Sequence, residues 1–106
     1  MEIKNFTPHP INILDANNKE IAIFQPEGVP IRLKSEVKKI SQDGDILLTK
    51  TIFGEPEGLP GLEKDTLLIV SQLVKSACPS RGDLVVPAEV VRDSTGRIIG
   101  CRSLGI

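Results

Sequence analysis

The sequence predicts an α+β fold: a small, mostly antiparallel sheet with one short helix, about 71–78, packed on it. Three observations carry this. Short runs of Ile, Leu, Val, Thr and Phe recur along the chain, separated by Asn, Asp, Gly and Pro clusters, which is how strands and turns read. One segment, SQLVKSAC (71–78), instead places Leu73, Val74 and Ala77 at helical spacing and is stopped by Pro79. The length of 106 residues and a hydrophobic fraction of 40% suit one core, so 1–106 is read as a single domain.

Taken in order, INILD (11–15) and EIAIFQ (20–25) flank Ala16-Asn17-Asn18-Lys19 and form a hairpin, because Asn tolerates the left-handed backbone such turns need. PEGVP (26–30) interrupts. IRLKSEVKKI (31–40) and ILLTKTIF (46–53) are the next strands, joined through a turn at Gln42-Asp43-Gly44-Asp45. GEPEGLPG (54–61) holds three Gly and two Pro and reads as a loop, either a plain connection or the rim of a ligand pocket. TLLIV (66–70) is a continuous apolar run, expected of a strand covered on both faces. After the helix, SRGD (80–83) is a turn and LVVP (84–87) a short strand. AEVVRD (88–93) is a strand or a helical turn, STG (94–96) a tight turn, and RIIGCRSL (97–104) the last strand. Gly100 in that strand would admit a ligand or another backbone at close range.

Composition excludes several classes. A net charge of −1 argues against broad binding to DNA or RNA, which needs Lys and Arg in excess. Aromatics are 3% of the chain (Phe6, Phe24 and Phe53), so base-stacking platforms and large interface anchors are scarce. No apolar run approaches the ~20 residues of a membrane span. The start, MEIKNFTPHP, has no export-signal pattern, so the expected location is the cytoplasm, with Cys78 and Cys101 unpaired. One His and two separated Cys do not make a metal site, and no cofactor is expected.

The chemistry that can be placed lies near the C-terminus. Ser71 starts the helix and caps it, and the free N–H groups there attract a phosphate or carboxylate. Lys75 lies one turn further on. Arg81, Arg92, Arg97 and Arg102 all follow in the last quarter of the chain, whereas Arg32 stands apart. A guanidinium grips phosphate oxygens bidentately, which Lys cannot do. At the other end Thr7-Pro8 and His9-Pro10 hold Thr7 and His9 in a stiff extended segment. The candidate ligand-binding set is therefore Ser71, Lys75, Arg81, Arg92, Arg102, Thr7 and His9, with no catalytic residue. No base beside Cys101 can be identified from spacing, and no phosphate loop or triad is present.

The strings NFTPHPINI and IVSQLVKSACPSRGDLVVPAEVVRDSTGRIIGCRSL resemble a group of short phage, prophage and bacterial proteins; the resemblance covers both ends and leaves Gln25 to Ile52 unmatched. It supplies no catalytic motif but implies a setting, because small phage-borne proteins of the host cytoplasm often interfere with host defence. By analogy of context and charge placement, the expected function is non-enzymatic sequestration of an anionic, nucleotide-derived immune signal. The alternatives are a small enzyme acting on a similar ligand, or a phage structural or host-protein-binding module. A homo-oligomer is expected, since a small sheet with an exposed edge and an aromatic-poor core gains from association.

Overall fold

The computed structural model describes residues 1–106. The chain is β-rich: strands β1 (Glu2–Asn5), β2 (Ile11–Leu14), β3 (Glu20–Phe24), β4 (Arg32–Asp43), β5 (Ile46–Glu57) and β6 (Thr66–Ile69), one helix α1 (Gln72–Ala77), then β7 (Leu84–Arg92) and β8 (Ile98–Gly105). Six strands form one sheet in the order β1-β6-β7-β8-β2-β3, and β4 and β5 form a separate two-stranded ribbon.

Two of the three hairpin turns follow one recipe. In Asp15-Ala16-Asn17-Asn18-Lys19 the Asp15 carboxylate accepts the N–H groups of Asn17 (2.8 Å) and Lys19 (2.9 Å), and Asn18 takes φ 62°. In Asp93-Ser94-Thr95-Gly96-Arg97 the Asp93 carboxylate accepts the N–H groups of Thr95 (2.9 Å) and Arg97 (3.0 Å), and Gly96 takes φ 85°. The Thr95 hydroxyl first, then the two N–H groups, hold the Asp93 carboxyl below its ordinary range. Each turn puts its left-handed residue where Asn or Gly tolerates it.

Antiparallel pairing holds in β2–β3, β7–β8 and the ribbon, as the turns dictate, but the sheet is mixed: β1–β6, β6–β7 and β8–β2 run parallel. The parallel β6–β7 pair is made possible by α1, the crossover such pairs require. β6 alternates its burial across both faces. Leu68 and Val70 join Val74, Cys78, Leu84 and Ile31 in a cluster under the helix, whereas Ile69 joins Ile11, Val85 and Cys101 in a second one. TLLIV is thus apolar throughout because neither face meets water. Both cysteines are free and buried.

The sheet curls until its end strands meet. Asn5 bridges Pro26, just beyond β3, and the Glu27 N–H donates to the Asn5 carbonyl at 2.8 Å. Only the ends of the two strands are joined in this way; most of β3 stays exposed and the separate ribbon has no further strand at either edge. Other differences are local. β1 has no sequence signature beyond Ile3. LVVP and AEVVRD are one strand, bent where Glu89 adopts φ 52°. The GEPEGLPG loop begins later than expected, since β5 runs to Glu57 after a register shift beside Ser35 and Phe53.

Gly100 is resolved in favour of the backbone. A Cβ there would lie 2.8 Å from the Asn12 carbonyl oxygen and 2.9 Å from Leu14 Cγ, so β2 sits on the space a side chain would need. Gly100→Ala should cost about 1–3 kcal/mol by overpacking, read as a lower urea midpoint. A loss below about 0.5 kcal/mol would mean that β2 and β8 separate freely.

Candidate functional site

The seven side chains singled out from sequence are not brought to one place. Arg81 precedes β7 and Arg92 ends it, so a nine-residue strand, roughly 25 Å long, lies between them. Density of arginine along the sequence became separation in space because 84–92 is one strand and not a short strand followed by a turn.

Each arginine also has its own partner. Arg81 donates through Nε (2.9 Å) and Nη2 (2.8 Å) to the two carboxylate oxygens of Asp83. Arg92 Nη1 donates to the Gly96 carbonyl (2.9 Å), bracing the β7–β8 turn. Arg102 Nη2 donates to Asn18 Oδ1 (2.6 Å), bracing the β2–β3 turn. Thr7 is buried, and its hydroxyl lies 2.6 Å from Asn5 Oδ1 and 2.9 Å from the His9 carbonyl, so it is committed within the chain. Lys75 sits in the last turn of α1 and takes part in neither ion pair of the molecule.

Two clefts are candidates for a ligand. The first, about 240 Å³, lies between β2 and the β7–β8 hairpin and is walled by Pro10, Val90, Ile98 and Ile99, with His9 and Cys101 also lining it. This places the only His and a Cys at one cleft, which the sequence could not show. They do not form a nucleophile–base pair. No hydrogen bond joins them, Cys101 is level with Ile13 and not with His9, and burial pushes its thiol up, away from the thiolate.

The second cleft, about 290 Å³, lies between α1 and the base of the ribbon, lined by Ser71, Leu73, Val74, Arg32, Leu33 and Phe53 among others. Ser71 Oγ accepts the Val74 N–H at 3.3 Å as the helix cap, which leaves its own O–H free to donate. Arg32, set apart from the arginine group in sequence, stands beside Ser71 here. It is exposed and engages neither of the chain's ion pairs nor any side-chain hydrogen bond. Phe53, 48% exposed, lines the same cleft. Arg32 and Phe53 were the residues that sequence reasoning missed. Both lie on the ribbon, whose fold back against α1 is a long-range contact with no local signature.

No helix is long and apolar enough to cross a membrane, and no group of three or more His, Cys, Asp or Glu is placed to hold a metal ion. The chain matches no protein-family model, no curated protein and no solved structure.

Proposed function

We propose that the protein binds a small anionic, nucleotide-like molecule and holds it unchanged, in the cleft between α1 and the base of the β4–β5 ribbon. One observation carries the reading: Arg32, whose guanidinium has no partner of its own, lines the same cleft as Ser71 and Phe53. A cation and a hydroxyl suit phosphate oxygens, and an exposed aromatic face suits a base. The cleft lies near the lower bound of ligand pockets, about 300 Å³, which favours a ligand of mononucleotide size. In the phage setting implied by the sequence resemblance, such a ligand is a host immune signal and sequestration is the outcome. Arg81, Arg92 and Arg102 take no part, since each is held elsewhere.

The test is calorimetric titration with a panel of linear and cyclic nucleotides, followed by heat release and analysis of the ligand. Arg32→Ala should weaken binding ten- to a hundredfold, about 1.5–3 kcal/mol, and Arg32→Lys should restore it only in part. Phe53→Leu should weaken it also, while Arg92→Ala and Arg102→Ala leave it unchanged. Equal losses at Arg32, Arg92 and Arg102 would reduce the effect to nonspecific charge. Recovery of a product in place of the ligand would make the protein an enzyme.

A further inference from the structure

The β4–β5 ribbon is the least explained part of the molecule by stability alone. Its strands are twelve residues each, it pairs with no other strand, and almost every residue is exposed on both faces. It draws the radius of gyration out to 16.8 Å, against about 13 Å for a compact chain of this length. Ile46, Leu48 and Ile52 are exposed in a row on one of its faces, and Val37 and Leu47 on the other. A lone two-stranded ribbon is marginal in water, and contiguous exposed apolar surface marks an interaction site.

We propose that the outer half of this ribbon is a self-association surface, which docks face to face and antiparallel on the same surface of a second copy of the chain. The proposal is independent of the ligand reading. Its basis is the order of residues on one face. Partners across an antiparallel pair share a face, so the register puts Asp43 and Ile46, then Ser41 and Leu48, then Lys38 and Lys50 on one side, from the tip inward. Over these three outer rungs the face is acidic at its tip, apolar in the middle and basic at its inner end; the next rung inward, Glu36 and Ile52, lies outside the proposed contact. The acidic and basic rungs are four residue steps apart along β5, roughly 14 Å, and Leu48 is midway between them.

A two-fold axis through Leu48 therefore superposes opposite charges. Leu48 packs on its counterpart, Asp43 of each copy lies over Lys38 of the other, and Ile46 covers the aliphatic stem of Lys50. Lys38 and Lys50 stand directly opposite each other in the register and neither forms an ion pair. Like charges so placed repel; Glu36, one rung inward on the same face, offsets them in part, and an incoming carboxylate relieves them further. A partner of one sign of charge would satisfy only one end of this face; a second copy satisfies both. The surface is smaller than the ~20–30 residues per side of a standard interface, so the dimer should dissociate in the micromolar range.

The experiment is sedimentation equilibrium of the full chain across roughly 1–300 µM, a range that brackets a micromolar dissociation constant. The wild type should pass from monomer to dimer. Lys38→Glu and Asp43→Lys should each stay monomeric, because each makes both ends of the face alike in charge. Mixed in equal amounts, the two variants should form a heterodimer at least tenfold tighter than either self-association, since every contact is then matched. Circular dichroism of each variant should match the wild type, showing that the ribbon still folds. A wild type that stays monomeric throughout, variants that dimerise like the wild type, or a mixture that stays monomeric would each overturn the proposal. Nucleotide binding at the α1 cleft should be unchanged in both variants, so the two readings stand or fall separately.

Discussion

Replacing Asn5 with Ala should destabilise the protein more than any other single substitution in the NFTPH segment, by about 3–5 kcal/mol. The side chain is 1% exposed and sits where β1, the following turn and the end of β3 converge. Its Nδ2 donates to the carbonyls of His9 (2.9 Å) and Phe24 (2.8 Å), and its Oδ1 accepts the Thr7 N–H (2.9 Å) and lies within reach of the Thr7 hydroxyl (2.6 Å). Alanine leaves the Thr7 N–H and the Phe24 carbonyl without their side-chain partner, while the His9 carbonyl keeps the Thr7 hydroxyl within reach. A buried polar group left unsatisfied costs about 1–3 kcal/mol. Thr7→Val removes only the hydroxyl and should cost about 1 kcal/mol. Urea unfolding of the two single variants and the double variant measures their coupling, which should be large because both act through Oδ1. An Asn5→Ala loss below about 1 kcal/mol would mean that water enters and replaces the side chain, and that the closure between β1 and β3 is not held by Asn5.

The segment shows what the sequence could and could not convey. Its two X-Pro steps predicted a stiff extended segment, but residues 7–9 form a bend, in which the Thr7 N–H and hydroxyl turn back to Asn5 Oδ1. That Thr7 turns inward was not legible, since the carbonyls it meets belong to a turn that exists only once β1 pairs with β6. The same division runs through the chain. The β2–β3 hairpin, the buried run at 66–70, the helix with its Ser71 cap and the final strand all have local causes in turn chemistry, apolar pattern and capping, and each is found within a residue or two of its expected place. Parallel pairing and the meeting of β1 with β3 have no local cause. They follow from which apolar faces must cover one another in three dimensions. At the α1 cleft, Ser71 announced itself by its position before a helical pattern, but Arg32 and Phe53 lie 39 and 18 residues away from it in sequence. Only the ribbon's return to the helix sets them beside it. The arginine-rich tail misled for the converse reason: neighbours along a strand diverge by about 3.3 Å per residue, so a cluster in sequence is dispersed by strand structure.

Arg81→Ala should unfold the protein more easily by about 2–4 kcal/mol near neutral pH, somewhat under the full cost of breaking a buried pair because the pair keeps some contact with water. The side chains of Arg81 and Asp83 are 16% and 9% exposed, and two parallel N–H···O contacts join them. Removing the guanidinium leaves the Asp83 carboxylate in a low-dielectric site without its counter-charge. Asp83→Ala should cost a similar amount for the opposite reason, whereas the double variant should lose less than the two singles together. The pH dependence identifies the pair. The hydrogen bond from Arg81, followed by its charge, sets the Asp83 carboxyl below its ordinary value despite the opposing effect of burial. A carboxyl depressed in the folded state stabilises it above the unfolded pKa, about 3.9, and loses that contribution as pH falls through the folded value. The gap in unfolding free energy between wild type and the double variant should therefore be flat from pH 5 to 8 and narrow below about pH 4. Asp93, depressed too, is present in both proteins and cancels in the difference. Arg81 itself is raised, by its hydrogen bonds to Asp83 first, and would lose its contribution only in strong alkali. Should Arg81→Ala leave stability unchanged while weakening nucleotide binding, the ion pair would be a ligand site after all, and the assignment of binding to Arg32 would fail with it.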